Sequence, residues 1–151
     1  MKILALVAVC SVMASSPALA QMDTNLRATY GSVGLSAGFT PDPYRVSMVA
    51  GGDISVNDNR NGCTGFVSRA PDFELNYSAG SLPLVFRTVS NTDTTLIINA
   101  PDGRWYCDDD SYGNSNPQVR FNRPMSGVYD VWVGTYNRGN QSATLMITET
   151  P

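Results

Sequence analysis

Short runs in which apolar and polar residues alternate, separated by Gly, Pro, Asn and Asp, constrain the fold more than any other feature of the chain. Side chains of a β-strand point to alternate faces, so a period of two indicates strands, and the separating residues favour turns. No segment shows the period of an amphipathic helix. The pattern predicts strands at 27–31, 44–49, 65–68, 73–77, 84–89, 94–99, 104–107, 118–121, 128–136 and 143–148.

Strands at this spacing predict an all-β fold, a single-domain, jelly-roll-like β-sandwich of about 8–10 strands. An up-and-down barrel would produce the same pattern and is the alternative. Segment 128–136 is apolar on both faces, which indicates a central strand. The sequence has no internal repeat, linker or low-complexity segment, so one domain is expected.

The first twenty residues have the pattern of a secretory signal peptide. Lys2 gives a positive start, residues 3–13 form an apolar run, and Ala18 and Ala20 form a small-residue cleavage site. The run is shorter than the roughly 20 residues that span a membrane, and no later segment approaches that length. We therefore expect residues 21–151 to be secreted, into the periplasm or the medium, without a transmembrane segment.

The charge of residues 21–151 argues against nucleic acid as a partner. Nine arginines face eleven aspartates and two glutamates, which gives a net charge of −4. Proteins that bind nucleic acid usually present a basic face. The excess of Asp over Glu fits turns and oxygen-ligand sites rather than helices.

Two cysteines, Cys63 and Cys107, remain outside the leader. An even number of cysteines in an exported chain predicts a disulfide, and only one pairing is possible. The alternatives are a two-thiolate metal site or a redox pair, but neither a histidine nor a CxxC motif accompanies them. Because Trp105 lies two residues before Cys107, it should pack beside the disulfide.

The sequence contains no histidine, which excludes Ser-His-Asp and Cys-His hydrolases and His-ligated zinc. It also lacks a GxSxG elbow, a P-loop and a GxGxxG turn. A hydrolase with paired carboxylates is formally open, but the acidic residues lie in turns rather than in an apolar cleft. We expect a protein that is not an enzyme.

An ordered series of motifs covers residues 71–149: PDFELNYSAG at 71–80, DTTLIINAPDGRWYCDDD at 93–110, NP at 116–117 and SGVYDVWVGTY at 126–136. This series resembles the bacterial pre-peptidase C-terminal domain. The matching positions are Asp72, Gly80, Asp93, Asp102, Gly103, Asp108, Asp109, Gly127, Tyr129, Val131 and Val133. The resemblance implies a non-catalytic β-sandwich module, of a kind attached to secreted proteases, and some related modules bind calcium or extracellular polymers.

Two further motifs, GFTPDPY at 38–44 and GCTGF at 62–66, are similar to those of small stand-alone secreted bacterial proteins. Some of those proteins carry a serine-peptidase label, which a chain without histidine cannot satisfy chemically. A role as an accessory or inhibitor of a secreted peptidase is one hypothesis that this resemblance implies.

The acidic run Asp108, Asp109 and Asp110 directly follows Cys107, and an Asn-rich run with Asn57 and Asn59 precedes Cys63. A disulfide holds two Cα atoms roughly 5.5 Å apart, so it should bring both runs to one edge of the sandwich. Carboxylate and carbonyl oxygens are the ligands that calcium prefers. The sequence therefore suggests a Ca²⁺ site.

The alternative is that arginines neutralise the acidic run at a solvated strand end. Arg104, Arg120 and Arg123 are close in sequence and could form surface ion pairs with it. In an extended strand only two of the three carboxylates reach one side, unless the strand ends there.

We expect a secreted, non-enzymatic binding or structural module. If the acidic run forms a Ca²⁺ site, calcium stabilises this module. The partner would be an extracellular polymer or a secreted protein. In a carbohydrate- or matrix-binding module, exposed rings would stack on sugars, and Trp132, Tyr112 and Tyr136 are the candidates. Alternatively, Trp132 and Tyr136 belong to the core of a central strand.

Overall fold

The computed structural model describes residues 22–56 and 62–150, which form eleven strands and no helix. Within these ranges, accordingly, no helix is long and apolar enough to cross a membrane. The strands are β1 (Ser32–Ser36), β2 (Tyr44–Gly51), β3 (Ile54–Ser55), β4 (Phe66–Val67), β5 (Phe73–Ser78), β6 (Leu84–Val89), β7 (Thr94–Asn99), β8 (Trp105–Asp108), β9 (Gln118–Phe121), β10 (Gly127–Thr135) and β11 (Asn140–Thr148).

The strands form two sheets, which confirms the β-sandwich. The small sheet has the order β2-β11-β6-β9, and the large sheet contains the other seven strands. Strand β10 is central in the large sheet, because it pairs with β5 and β4 and also with β7, whose other neighbour is the edge strand β8. All pairings are antiparallel except that of β1 with β5.

The main core lies between the two sheets and follows the period-two alternation of the strands. Phe73, Leu75 and Tyr77 of β5, with the inward residues of β7 and β10, face Leu84 and Phe86 of β6 and the inward residues of β11. Each such side chain, when fully buried, contributes about 1.5–3 kcal/mol to folding. The inward faces are therefore those that the sequence pattern predicts.

A second apolar cluster covers the outer face of the large sheet. It consists of Val56, Cys63, Val67, Ile97 and Trp132, against which Met22, Ile54, Trp105 and Cys107 pack. The Cys63–Cys107 disulfide is formed, with its Cα atoms 5.5 Å apart. The rings of Trp105 and Trp132 lie 5.3 Å apart, so the expected position of Trp105 beside the disulfide is confirmed.

The predicted strand at 27–31 is wrong. A turn closes there, with the Gly31 N–H donating to the Ala28 carbonyl, and Gly31 has φ +88°, outside the strand region. Strand β1 begins at the next residue and lies at the edge of the large sheet, parallel to β5. The two-residue strand β3 is too short to give a periodic signal, and the sequence pattern missed it.

Candidate binding surfaces

The acidic run begins at the end of β8. Strand β8 ends at Asp108, and residues 109 and 110 form a bend, so the run leaves the strand geometry in which alternate carboxylates face opposite sides. The predicted ligands Asn57 and Asn59 lie outside the described residues. Their approach to the run across the disulfide therefore stays a prediction.

Asp108 has a structural role at this edge. One carboxylate oxygen accepts the backbone N–H groups of Ser111 and Gln118, each at 2.8 Å, and the other accepts the Ser111 hydroxyl. These bonds close the turn after β8 and position the start of β9. Because both oxygens are already engaged, Asp108 is a poorer metal ligand than the sequence suggests.

Asp109 and Asp110 instead lie near Asp93, which precedes β7. Desolvation raises the pKa of Asp93, and the charges of Asp110 and Asp109 raise it further. Desolvation also raises the pKa of Asp109, with the charges of Asp110 and Asp108 adding to it. One oxygen of Asp93 is buried and has no hydrogen-bond partner. Sequence reasoning missed Asp93 as a neighbour of the acidic run, because only the pairing of β7 with β8 brings them together.

The described residues do not by themselves complete a metal site. Among residues 22–56 and 62–150, no three acidic, Cys or His side chains converge closely enough to hold a metal ion. A calcium ion at this edge would use carboxylates of Asp109 and Asp110, with further oxygens from the Asn-rich run. The Ca²⁺ hypothesis therefore stays a prediction.

Among the described residues, no arginine forms an ion pair with the acidic run. Their ion pairs join Arg69 to Asp23 at 3.5 Å, Arg104 to Asp102 at 3.8 Å and Arg138 to Asp53 at 3.9 Å. Arg104, one of the three candidates, is therefore paired elsewhere. Arg120 donates from Nε to the side-chain oxygen of Asn122 at 2.7 Å.

Two buried carboxyls belong to the frame of the large sheet. Burial raises the pKa of Asp72 to about 7, although the carboxylate accepts the Val133 N–H at 2.8 Å. Burial, with the charge of Glu74, raises the pKa of Asp130 to about 6. Asp72 also takes part in backbone pairing with Val131. The Asp72 contacts fasten the start of β5 to β10, whereas one oxygen of Asp130 is buried without a hydrogen-bond partner.

A third carboxylate, Glu149, holds the end of the chain. It accepts the Tyr77 hydroxyl at 2.6 Å and the Gly38 N–H at 2.7 Å. Burial raises the pKa of Tyr77, and its hydrogen bond to Glu149 raises it further. The loop before β2 adds Asp42, whose carboxylate accepts the Glu149 N–H at 3.2 Å. This network ties the segment after β11 to both sheets.

The three candidate stacking rings have different environments. Trp132 is 0% exposed, so the hypothesis that it stacks on a ligand is wrong and its alternative, a core position, is correct. Tyr136 is 43% exposed and Tyr112 is 42% exposed, so both present ring surface to solvent. The guanidinium of Arg87 lies over the Tyr112 ring, 4.8 Å from its centroid. Sequence reasoning did not anticipate this pair.

The outer face of the small sheet carries positive charge. Arg45 on β2, Arg87 on β6 and Arg120 on β9 all point away from the core, and with Met146 and Gln118 they form what we call the arginine face. Arg45 and Arg120 are exposed, and Arg87 and Met146 are half-buried. Other outward residues of the same sheet, Val85 and Thr148, are buried.

Charge is segregated between the two sheets. The four strands of the small sheet contain three arginines and no acidic residue. The seven strands of the large sheet contain Glu74, Asp108 and Asp130 and no basic residue. No sequence motif marks this pattern, because strands of the two sheets alternate along the chain.

Comparison with known proteins adds little to the fold. Neither a protein-family model nor a curated protein matches the chain. Among solved structures, the crystal structure of Aeromonas hydrophila PliG, a periplasmic lysozyme inhibitor of g-type lysozyme, is similar over 78% of this chain and 96% of that chain. The identity is 12% and the TM-score 0.38, values too low to carry an argument about function. The resemblance to pre-peptidase C-terminal domains stays a prediction.

Proposed function

We propose that the protein is an exported, non-enzymatic β-sandwich module that binds an extracytoplasmic partner through the arginine face. One observation carries the proposal: three arginines of this face are held by neutral groups. Arg87 donates to Gln118, Arg120 to Asn122, and Arg45 to the Pro43 carbonyl. Surface cations usually lie among acids of opposite sign, so three without acidic partners on one face suggest a surface kept for a charged partner.

The chemistry of the acidic residues supports a role other than catalysis. The chain has no histidine, and the carboxylates of Asp72, Asp108 and Glu149 accept backbone N–H groups that define the fold. An acid that fixes backbone geometry is not free to transfer protons to a substrate. The buried carboxyl of Asp130 lies in the central strand β10, paired with β5 and β7.

Export is supported by the disulfide between Cys63 and Cys107, since such bonds persist in oxidising compartments. The proposed leader, residues 1–20, lies outside the described residues. Calcium belongs to the proposal as a stabilising ion at the edge formed by Asp93, Asp109 and Asp110, with Asp108 in a structural role. A carbohydrate- or matrix-binding role is one form that this binding function can take.

The function is tested with purified residues 21–151 mixed with envelope material and with culture-medium proteins of the producing organism. The protein should sediment with the envelope or form a larger complex with a medium protein, and salt should weaken either interaction, because exposed charges are screened. Casein and acyl esters should remain intact.

Two results would contradict the proposal. A protein that stays unbound in both mixtures at low ionic strength would contradict the binding role. Hydrolysis that a single substitution in this chain abolishes would contradict the non-enzymatic role.

A further inference from the structure

We propose that the arginine face binds a linear, negatively charged polysaccharide, with carboxylate or sulfate groups, laid across the strands of the small sheet. This inference rests on the proposed binding function and names the chemical class of the partner.

The arginines form a row that crosses the strands. Arg45 and Arg87 both pair with Met146, one from each side, so they are two strands apart. At the usual strand spacing their Cα atoms are about 10 Å apart. Arg120 pairs with Val85, two residues before Arg87, and is therefore a diagonal neighbour of Arg87 at about 7–8 Å. A linear chain with anionic groups can contact the three in succession.

Two of the guanidinium groups are held in place by neutral partners. Arg87 donates from Nε to Gln118 Oε1 at 2.6 Å and rests on the Tyr112 ring. Arg120 donates from Nε to Asn122 at 2.7 Å. These bonds engage Nε and leave the two terminal amino groups to bind carboxylate or sulfate oxygens. Because the side chains are already ordered, binding costs less conformational entropy.

Two acids near this face, Asp42 three residues before Arg45 and Asp108 in contact with Gln118, are engaged in backbone contacts. Asp42 accepts the Glu149 N–H, and Asp108 accepts the N–H groups of Ser111 and Gln118. Among the ion pairs of the described residues, none includes Arg45, Arg87 or Arg120. The face therefore carries three arginines outside these ion pairs on a chain whose net charge is negative.

The distribution of apolar groups favours a polysaccharide over a protein. The exposed valines Val49 and Val89 lie on different strands, and the register sets Ser142 beside the first and Thr144 beside the second. The strands therefore offer no contiguous apolar centre of the kind that dominates protein interfaces. Hydroxyls, a thioether and an exposed Tyr112 ring, interleaved with cations, suit a hydrated sugar chain.

The test measures the binding of residues 21–151 to polygalacturonate, with heparin as the sulfated polymer and dextran as the neutral one. The triple variant Arg45→Gln, Arg87→Gln, Arg120→Gln is compared with Arg69→Gln, Arg104→Gln, Arg138→Gln. The two variants change net charge equally, but the control arginines lie in ion pairs elsewhere. Both triple variants should unfold near the wild-type temperature, because exposed arginines contribute little to stability. The single variant Arg87→Gln is measured as well, in case the arginine-face triple variant does not fold.

We expect wild type to bind polygalacturonate, heparin or both, and dextran at least about tenfold more weakly. The arginine-face variant should lose at least about tenfold in affinity, as three exposed ion pairs imply, and the control variant less than about threefold. Binding to only one anionic polymer identifies the anionic group, and binding to both identifies shared charge recognition. Either result supports the proposal.

Three outcomes would overturn the proposal. Two of them are an equal loss of affinity in the two triple variants and an affinity for dextran equal to that for the anionic polymers. The third is self-association that only the arginine-face variant abolishes, because the occupant of the face would then be a second copy of the chain. Binding to envelope material without binding to either anionic polymer would overturn this inference and leave the proposed function standing.

Discussion

The two sheets of the sandwich differ in how their outer faces are used. The large sheet has apolar clusters on both faces, and its outer layer is fastened by the Cys63–Cys107 disulfide. The small sheet has an apolar inner face, while its outer face presents the arginine face to solvent. The charged residues within the strands follow the same division, acidic in the large sheet and basic in the small one.

Both sheets bury an apolar inner face, but only the small sheet leaves part of its outer face available for binding. A face covered by side chains contributes buried apolar area but cannot meet a partner. A face left open contributes little to folding and can be changed without unfolding the domain. Under this division, substitution of a covered side chain costs more stability than substitution on the open face.

Trp132→Ala should produce the largest loss, because this fully buried ring packs against Trp105 in the outer cluster. Truncating a buried Trp costs about 3–5 kcal/mol of unfolding free energy. Met146→Ala, on the outer face of the small sheet, should cost about 1 kcal/mol, since its side chain is half-buried. Urea unfolding measures both, and equal losses would contradict the division.

Cys63→Ser should cost about 4 kcal/mol, because the disulfide closes a loop of 44 residues that the unfolded chain would otherwise explore. Denaturant unfolding of oxidised wild type, reduced wild type and the variant gives the comparison. Reduced wild type should resemble the variant. A variant as stable as oxidised wild type would show that the outer layer of the large sheet does not need the bond.

The buried acids of the large sheet should make stability depend on pH. Asp72 has a folded pKa of about 7, above the ordinary value of 3.8, so the folded state favours its protonated form. Its contribution is fully present below about pH 4 and is lost as pH rises to about 7, on the order of 4 kcal/mol. Asp130, with a pKa of about 6, acts in the same direction between about pH 4 and 6.

Asp72→Asn should flatten this dependence and raise stability at pH 8, since the amide oxygen can still accept the Val133 N–H. Asp53→Asn, with a fully exposed side chain, is the matched control and should leave the profile unchanged. Thermal unfolding from pH 4 to pH 8 tests both. An Asp72→Asn profile as steep as that of wild type would contradict the assignment.

If the acidic edge binds calcium, calcium should raise the melting temperature. The free energy of unfolding should increase by about 2.7 kcal/mol when free calcium is 100 times its dissociation constant. Magnesium should act more weakly, because it demands a stricter octahedron. Asp109→Asn with Asp110→Asn should abolish the rise.

Asp108→Ala is the control for that double variant. It should lower stability with or without calcium, by about 1 kcal/mol for each lost hydrogen bond, because its oxygens hold the turn after β8. A melting temperature unmoved by millimolar calcium, after chelation, would leave the acidic edge as a solvated strand end.

Most of the strands could be predicted from sequence because alternation is a local signal. Strands β6, β7 and β9 have the predicted bounds, and β10 is central, as its two apolar faces indicate. The exceptions lie where the local signal fails: β1 follows a glycine turn, and β3 has two residues. Strand β1 is an edge strand with one neighbour, β5. Such a strand needs little apolar patterning, so strand propensity alone did not predict its position.

The candidate site was harder to predict than the strands. Trp132 and Tyr136 lie four residues apart, yet the first is covered by Trp105 and Ile97 and the second is exposed beyond the end of β10. Exposure depends on whether another segment packs over a face, which period-two alternation does not encode. Asp109 and Asp110 of the acidic run likewise lie near Asp93 and not near the arginines that the sequence suggested.

Most of the strands, the single disulfide pairing and the lack of histidine chemistry follow from residue identity or local periodicity alone. Only the tertiary structure decided that Arg45, Arg87 and Arg120 share one face. They come from strands that are distant in the chain and become neighbours through β11 and β6. Strand order and register set which side chains meet across a sheet, and both are fixed by non-local hydrogen bonds and core packing.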